Sequence, residues 1–500
     1  MAKKKVRKSI SLSKSIIEPI DTKDNQKTVK ALHPILEFIL QPHQFFTIVA
    51  IVFGSGFLMT TPPFQVADEI AHFGRVYKLS EFETLQKNEN GVSGGSLPQS
   101  IGEISGIFRY LCWQPQNKTS LTQIKQALKL TLKSDVKNFE RIDAGNYFYF
   151  SYLPQIPAVL IGRLFEVNTL YILYLGRFFA LIFYIFCVRY AIFKIPFAKY
   201  LLMTIALLPM CLAQAGSFNA DCVSFSLSFL YLGLILKKAN DDQPFLMDLD
   251  LFLILAISLI CGILKPVYLP IAAFIFIVPQ LYHKKNRVVL FCTVATVFTA
   301  LLFTYLWSFF RSYAYSSNIS NAGSSLTTTL IGGSGKDRIN TLIDSPHLMF
   351  EVFSNTFKYF GEMYYKSTIG ILGYLDTALP DRVYFIFAFV IIILALFEAK
   401  KMNTLLFPQR FLLFSVSIGI IFLTVLAMYS MTRQDAGMIA EGVQGRYFIP
   451  VLFPLFVSVN GLLPFRINIL DHKLLIIILY LTLIYLLFVT EETLLFRYFG

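Results

Sequence analysis

Continuous apolar runs close to the length of a bilayer span recur from residue 43 to residue 490, separated by stretches where lysine and arginine cluster. Runs apolar on every face predict membrane helices, and they lack the strand-type alternation of a β-barrel. The spans are expected at 43–60, 170–189, 200–217, 221–236, 249–264, 266–281, 288–310, 382–399, 411–430, 447–464 and 474–490, about eleven in all. The chain therefore reads as an all-α, polytopic integral membrane protein with a large first extracellular loop.

One apolar segment is left out of that count. Asn146 to Phe165, "NYFYFSYLPQIPAVLIGRLF", holds two prolines, flanking aromatics and a terminal Arg163. Taken as a span, it would invert every later loop. Taken as an interfacial helix, it puts all later basic clusters on the side of the Lys-rich start, as the positive-inside bias requires. The expected organisation is a cytoplasmic basic tail (1–42), a first span (43–60), an extracellular loop with the interfacial helix (61–169), spans two to seven (170–310), an extracellular loop (311–381) and spans eight to eleven (382–500). The N-terminus is expected inside and the C-terminus outside.

Composition narrows the function classes. The chain is 55% hydrophobic, 16% aromatic and 15% charged, against about a quarter charged in soluble domains. Its net charge of +13 sits in short clusters at span ends, which suits anionic lipid and topology and excludes a nucleic-acid groove. Six cysteines show no CxxC spacing, so neither a disulfide framework nor a zinc site is indicated. "LIGGSGKDRINTL" lacks the phosphate-loop spacing, because Lys336 is followed by Asp337; a turn is expected there. No serine-hydrolase elbow or HExxH is present.

The polar residues that remain share one side of the expected topology. In "TPPFQVADEIAHFGRVYKLS" a helix from about Val66 would align Asp68, His72 and Arg75 on one face, with Glu69 rotated away. A carboxylate just outside a bilayer can take a proton from a hydroxyl, hold a cation or simply cap the helix. Asp221 in "SFNADCVSFSLSFL" stands at a span mouth, where it is either functional or a cap. Lys265 in "LKPVYLP" either snorkels to the interface or binds a lipid phosphate. Arg446, between Gln444 and Tyr447 in "AEGVQGRYFIP", lies at an outer boundary against the charge bias. Phosphate recognition by its guanidinium fork explains it, and pairing with Glu441 or Asp435 is the alternative.

These four motifs, in this order, resemble the bacterial membrane proteins of domain-of-unknown-function family 2142, over about Gln41 to Phe488. That family is similar to the GT-C glycosyltransferases, which use polyprenyl-phosphate sugars on the outer face of the membrane. The resemblance implies that Asp68, with Glu69 beside it, activates the acceptor, and that Lys265 and Arg446 bind the donor phosphate. His72, Arg75, Asp221, Gln444 and Tyr447 would support them. In "PPFQVADE" residues are inserted between the prolines and the acids, unlike the family pattern. No cofactor is required, although Glu69 and Asp221 are candidates for a divalent metal (Mg or Mn). The implied activity is inverting transfer of a sugar to a cell-envelope glycan or lipid acceptor at the bacterial cytoplasmic membrane; the alternative is a flippase or a polymerase of lipid-linked glycans.

Overall fold

The computed structural model describes residues 34–89, 92–132, 136–144, 147–241, 249–279, 287–320, 333–398, 405–432, 437–460 and 472–500. The tail at 1–33, Asp435 and several basic clusters used for sidedness (283–285, 400–401 and 466) lie outside the described residues.

Among the described residues six helices are long and apolar enough to cross a membrane: Pro42–Thr60, Thr169–Lys194, Asp221–Ala239, Leu290–Trp307, Phe407–Tyr429 and Lys473–Phe499. Shorter apolar helices lie at Leu249–Leu264, Pro266–Ile277 and Gly445–Val459, with Asp381–Phe397 beside them. The expected span 200–217 is broken into Lys199–Ala206 and Pro209–Ala215, because Pro209 cannot continue a helix from Leu208 but starts the next one well. The expected 266–281 is a 3-10 segment with Pro270 inside it. The larger sequence count thus includes short and interrupted segments.

Contacts at helix ends sort the bundle into two ends. At one, Phe193 meets His43 edge to face, Lys237 pairs with Asp250, and Glu398 accepts from the Tyr200 and Leu201 amides at 3.0 and 2.8 Å. Tyr480 donates to Leu40 there as well. At the other end, Asn168, Asp221, Lys265 and Arg497 all meet residues of the loops. The first loop and the final helix are tied together at this end, by Lys118 donating to the Phe496 carbonyl and by the Thr119 amide donating to Tyr498.

The loop end adds a small sheet to the mostly helical chain. Lys87–Glu89 (β1), Val92–Pro98 (β2) and Lys137–Arg141 (β3) form an antiparallel sheet in the order β1-β2-β3, with Leu97 opposite Asn138. Leu97 and Ile142 bury against the helix Glu69–Ser80. Within the expected interfacial segment, Tyr149–Tyr152 forms a 3-10 turn and Ile156–Leu164 a nine-residue helix, too short to cross a bilayer. The expected turn after Leu330 is a helix, Gly333–Asp344. Its Leu342 is buried while Ile339 is exposed, so one side of the helix packs inward.

Candidate functional site

The site is built where four chain segments meet. The first is the turn after Pro42–Thr60. Its chain reverses through Pro62 and Pro63, and Asp68 takes a left-handed conformation (φ 65°) as the N-cap of Glu69–Ser80. Asp tolerates that region better than most residues. The helix therefore starts at Glu69 and not near Val66, so Asp68 does not share a face with His72 and Arg75. Its side chain remains 56% exposed, with Oδ2 3.2 Å from an Arg446 amino group.

Glu69 goes the opposite way. It is fully buried, and its two oxygens take Arg177 Nε at 2.8 Å and Nη2 at 2.6 Å. Glu69 also accepts the Phe218 amide at 3.1 Å. Arg177, on the second long helix, donates further to the Leu58, Thr61 and Pro62 carbonyls at 2.9, 2.7 and 3.0 Å. Gly176 makes this possible: a Cβ there would lie 2.1 Å from the Phe218 ring. One guanidinium thus holds the end of the first span, the proline turn, the Asp68 helix and the loop leading to Asp221. Arg177 stands inside the apolar run 170–189, and its partner Glu69 lies 108 residues away in the chain.

Asp221 opens the helix Asp221–Ala239, and Lys265 precedes Pro266–Ile277. They meet at 2.5 Å, so Lys265 is paired rather than snorkelling. Asp221 Oδ2 lies 3.3 Å from Arg446 Nε, off the alignment of a hydrogen bond. Arg446 also donates to Gln214 at 3.2 Å. Its partners are therefore Asp68, Asp221 and Gln214. The turn that presents Arg446 requires Gly445, because a Cβ there would fall 2.1 Å from the Tyr364 carbonyl. Tyr447 lays its ring 4.8 Å from the Lys265 ammonium and accepts from the Tyr268 hydroxyl through its carbonyl. Gln444 caps the same turn, with its side-chain oxygen buried and unpartnered.

His72 and Arg75 stand behind this cluster. The His72 ring contacts the Tyr152 hydroxyl at 2.5 Å. Burial pushes the imidazole down to about 3; the Asp221 charge opposes the shift, while Arg446 and Lys265 add to it. Arg75 donates to the Tyr147 and Thr84 carbonyls, so it fixes the loop and does not face the cluster. Tyr147 and Tyr152, unsuspected from sequence, have hydroxyls whose pKa burial raises.

Against Lys265 and Tyr447 opens a cavity of about 370 Å³, walled by Tyr147, Phe303, Trp307, Thr424 and Met428. The candidate metal residues do not fit a metal: Glu69 is committed to Arg177, and Asp221 to Lys265 and Arg446. Among the described residues no group of three His, Cys, Asp or Glu is placed to hold one.

A bundle of apolar helices with charged groups gathered at one end defines a multi-pass membrane protein. The chain belongs to the predicted membrane protein family DUF2142, whose model matches residues 51–455. No curated protein and no solved structure matches it.

Proposed function

We propose that the protein is a GT-C-type glycosyltransferase of the bacterial cytoplasmic membrane. It would move a sugar from a polyprenyl-phosphate donor to a cell-envelope glycan or lipid acceptor on the outer face. One observation carries this reading. An exposed carboxylate, Asp68, shares Arg446 with a buried Asp221–Lys265 pair, beside an aromatic cavity that suits an isoprenoid chain.

The chemistry follows from the charges. Asp68 takes the acceptor hydroxyl's proton while that oxygen bonds to the anomeric carbon. The bond from that carbon to the phosphate oxygen breaks, its electron pair leaves with the phosphate, and single displacement inverts the centre. Before transfer, two acids balance two bases in the cluster. Protonation removes the charge of Asp68, so Arg446 loses a competing partner as negative charge grows on the phosphate. Arg446 and Lys265 are then free to stabilise it. No step needs a metal, because phosphate is already a good leaving group.

A flippase would want unpaired ionisable groups deep in the bundle. Arg177 is saturated by Glu69 and three carbonyls at the end of the first span, and the charged groups gather at that end, which favours the enzyme. Glu491, with one buried, unpartnered oxygen beside Gly56, is the group a flippase would use. The test is to incubate purified protein with a polyprenyl-phosphate sugar and an envelope polysaccharide fraction, and to measure free polyprenyl phosphate and glycosylated product. Movement of intact donor across liposomes with no bond cleaved would overturn the reading.

A further inference from the structure

Trp113 lies in the first loop, outside the charged cluster, and is held in a way that packing does not explain. Its backbone sits in the left-handed region (φ 54°), yet its side chain is 65% exposed. A bulky residue rarely keeps that conformation unless its surroundings impose it, and such strain concentrates at functional sites. The imposing contact is visible. The Trp113 amide donates to Asp376 Oδ2 at 3.0 Å. The same oxygen takes Arg497 at 2.9 Å, with both of those side chains nearly out of solvent.

The ring meets a second aromatic. Trp113 and Tyr374 stand edge to face at 4.9 Å, and Tyr374 lies in the turn between the paired strands Ile371–Leu372 and Thr377–Ala378, which packs beside Thr61, Val66 and Gln214. The preceding residue, Cys112, donates weakly to Gln65, three positions before Asp68. Burial raises the pKa of the Tyr374 hydroxyl, and the Asp68 charge adds to the shift. Gln114 and Gln116 are exposed next to Trp113 and bond to each other. A ring sunk among lipid tails would have apolar neighbours, while one at headgroup level would share this polar setting. The loop that carries the ring holds the exposed amides of Gln114 and Gln116, and its backbone is tied to the buried Asp376–Arg497 pair.

A flat, exposed apolar face fixed in place, with exposed amides beside it in the chain, is complementary to a pyranose ring. Such a ring offers one face of C–H groups and an edge of hydroxyls. We propose that Trp113, braced by Tyr374 and Asp376, is a saccharide-binding platform that seats the acceptor glycan on the approach to Asp68. Its role as an acceptor site rests on the transferase reading; saccharide binding does not.

The chain has only two tryptophans, so Trp307→Phe leaves Trp113 as the sole indole reporter. Full-length Trp307→Phe protein in phosphatidylcholine nanodiscs is titrated, without donor, with oligosaccharides of glucose, galactose, mannose and N-acetylglucosamine. The expected result is a saturable change in emission with at least one of them, lost in Trp307→Phe/Trp113→Ala. In otherwise wild-type protein, Trp113→Ala should raise the acceptor KM roughly tenfold, leave the donor KM unchanged and be partly rescued by Trp113→Tyr. No saturable change with any sugar would overturn the platform, as would quenching of Trp113 by brominated lipid tails, the mark of a membrane anchor. Saccharide binding without any transfer would keep the platform and remove the transferase. Transfer with an unchanged acceptor KM in Trp113→Ala would do the reverse.

Discussion

Glu69 and Arg177 face each other as a two-pronged ion pair at 2.6 and 2.8 Å, with neither side chain reaching solvent. Removing one partner strands the other charge in the bundle, at a cost of about 3–5 kcal/mol. Glu69→Gln and Arg177→Met should therefore lower the thermal midpoint in detergent sharply. Added Mg or Mn should not restore it, since the carboxylate holds a guanidinium and not a metal. The double variant Glu69→Leu/Arg177→Met should recover part of the loss. A single variant that melts like wild type would show that the pair is not structural.

Asp68 should behave in the opposite way. Its carboxylate is more than half exposed, and Asn accepts a left-handed backbone as readily as Asp. Asp68→Asn is expected to keep the wild-type melting profile and to lose roughly 10²- to 10⁴-fold in transfer rate, the scale of a general base. Transfer at the wild-type rate would end its acceptor-activating role. Asp68→Ala adds about 1 kcal/mol of backbone strain and is the poorer test.

Arg446 divides its fork among Asp68, Asp221 and Gln214. Arg446→Lys keeps the charge but supplies one point where three directions are needed. Donor KM should rise about tenfold or more, with the protein still inserting normally. Gly445→Ala should damage the same parameter without touching a charge, because its Cβ would meet the Tyr364 carbonyl and shift the turn. Unchanged donor KM in both variants would take Arg446 out of the phosphate site.

Much of this arrangement was legible in the sequence, and what was missed has physical reasons. The apolar runs locate the helices, and the charge bias gathers Asp68, Asp221, Lys265 and Arg446 at one end, because bilayer thickness and charge cost act on local sequence. The contacts within that cluster were not legible, since each joins segments far apart in the chain. Two adjacent acids with the same intrinsic chemistry also gave no sign that Glu69 would turn inward and Asp68 outward. That division is decided by the left-handed turn at Asp68 and by a cation 108 residues from Glu69. The small sheet was missed because its strands are short and polar, without the alternation that marks a half-buried strand.

Helical spacing groups His72 with the site, and pH separates the possibilities. Folding buries its imidazole and lowers its pKa to about 3, while the unfolded chain titrates near 6.5. Between those values the unfolded state binds the extra proton, so stability is lost as pH falls from about 6.5 towards 3. Above 6.5 His72 is neutral in both states and contributes no slope. The thermal midpoint of the wild type should therefore fall more steeply from pH 7 to pH 5 than that of His72→Gln, which lacks the titrating ring. Carboxylates contribute to both curves, so the difference between them isolates His72. In the transfer assay the two proteins should show the same shape of rate against pH between 5 and 8, whatever their absolute rates, because His72 stays neutral throughout. A wild-type limb near pH 6.5 that disappears in His72→Gln would mean that the imidazole titrates in the working site, and the general base would then be His72 and not Asp68.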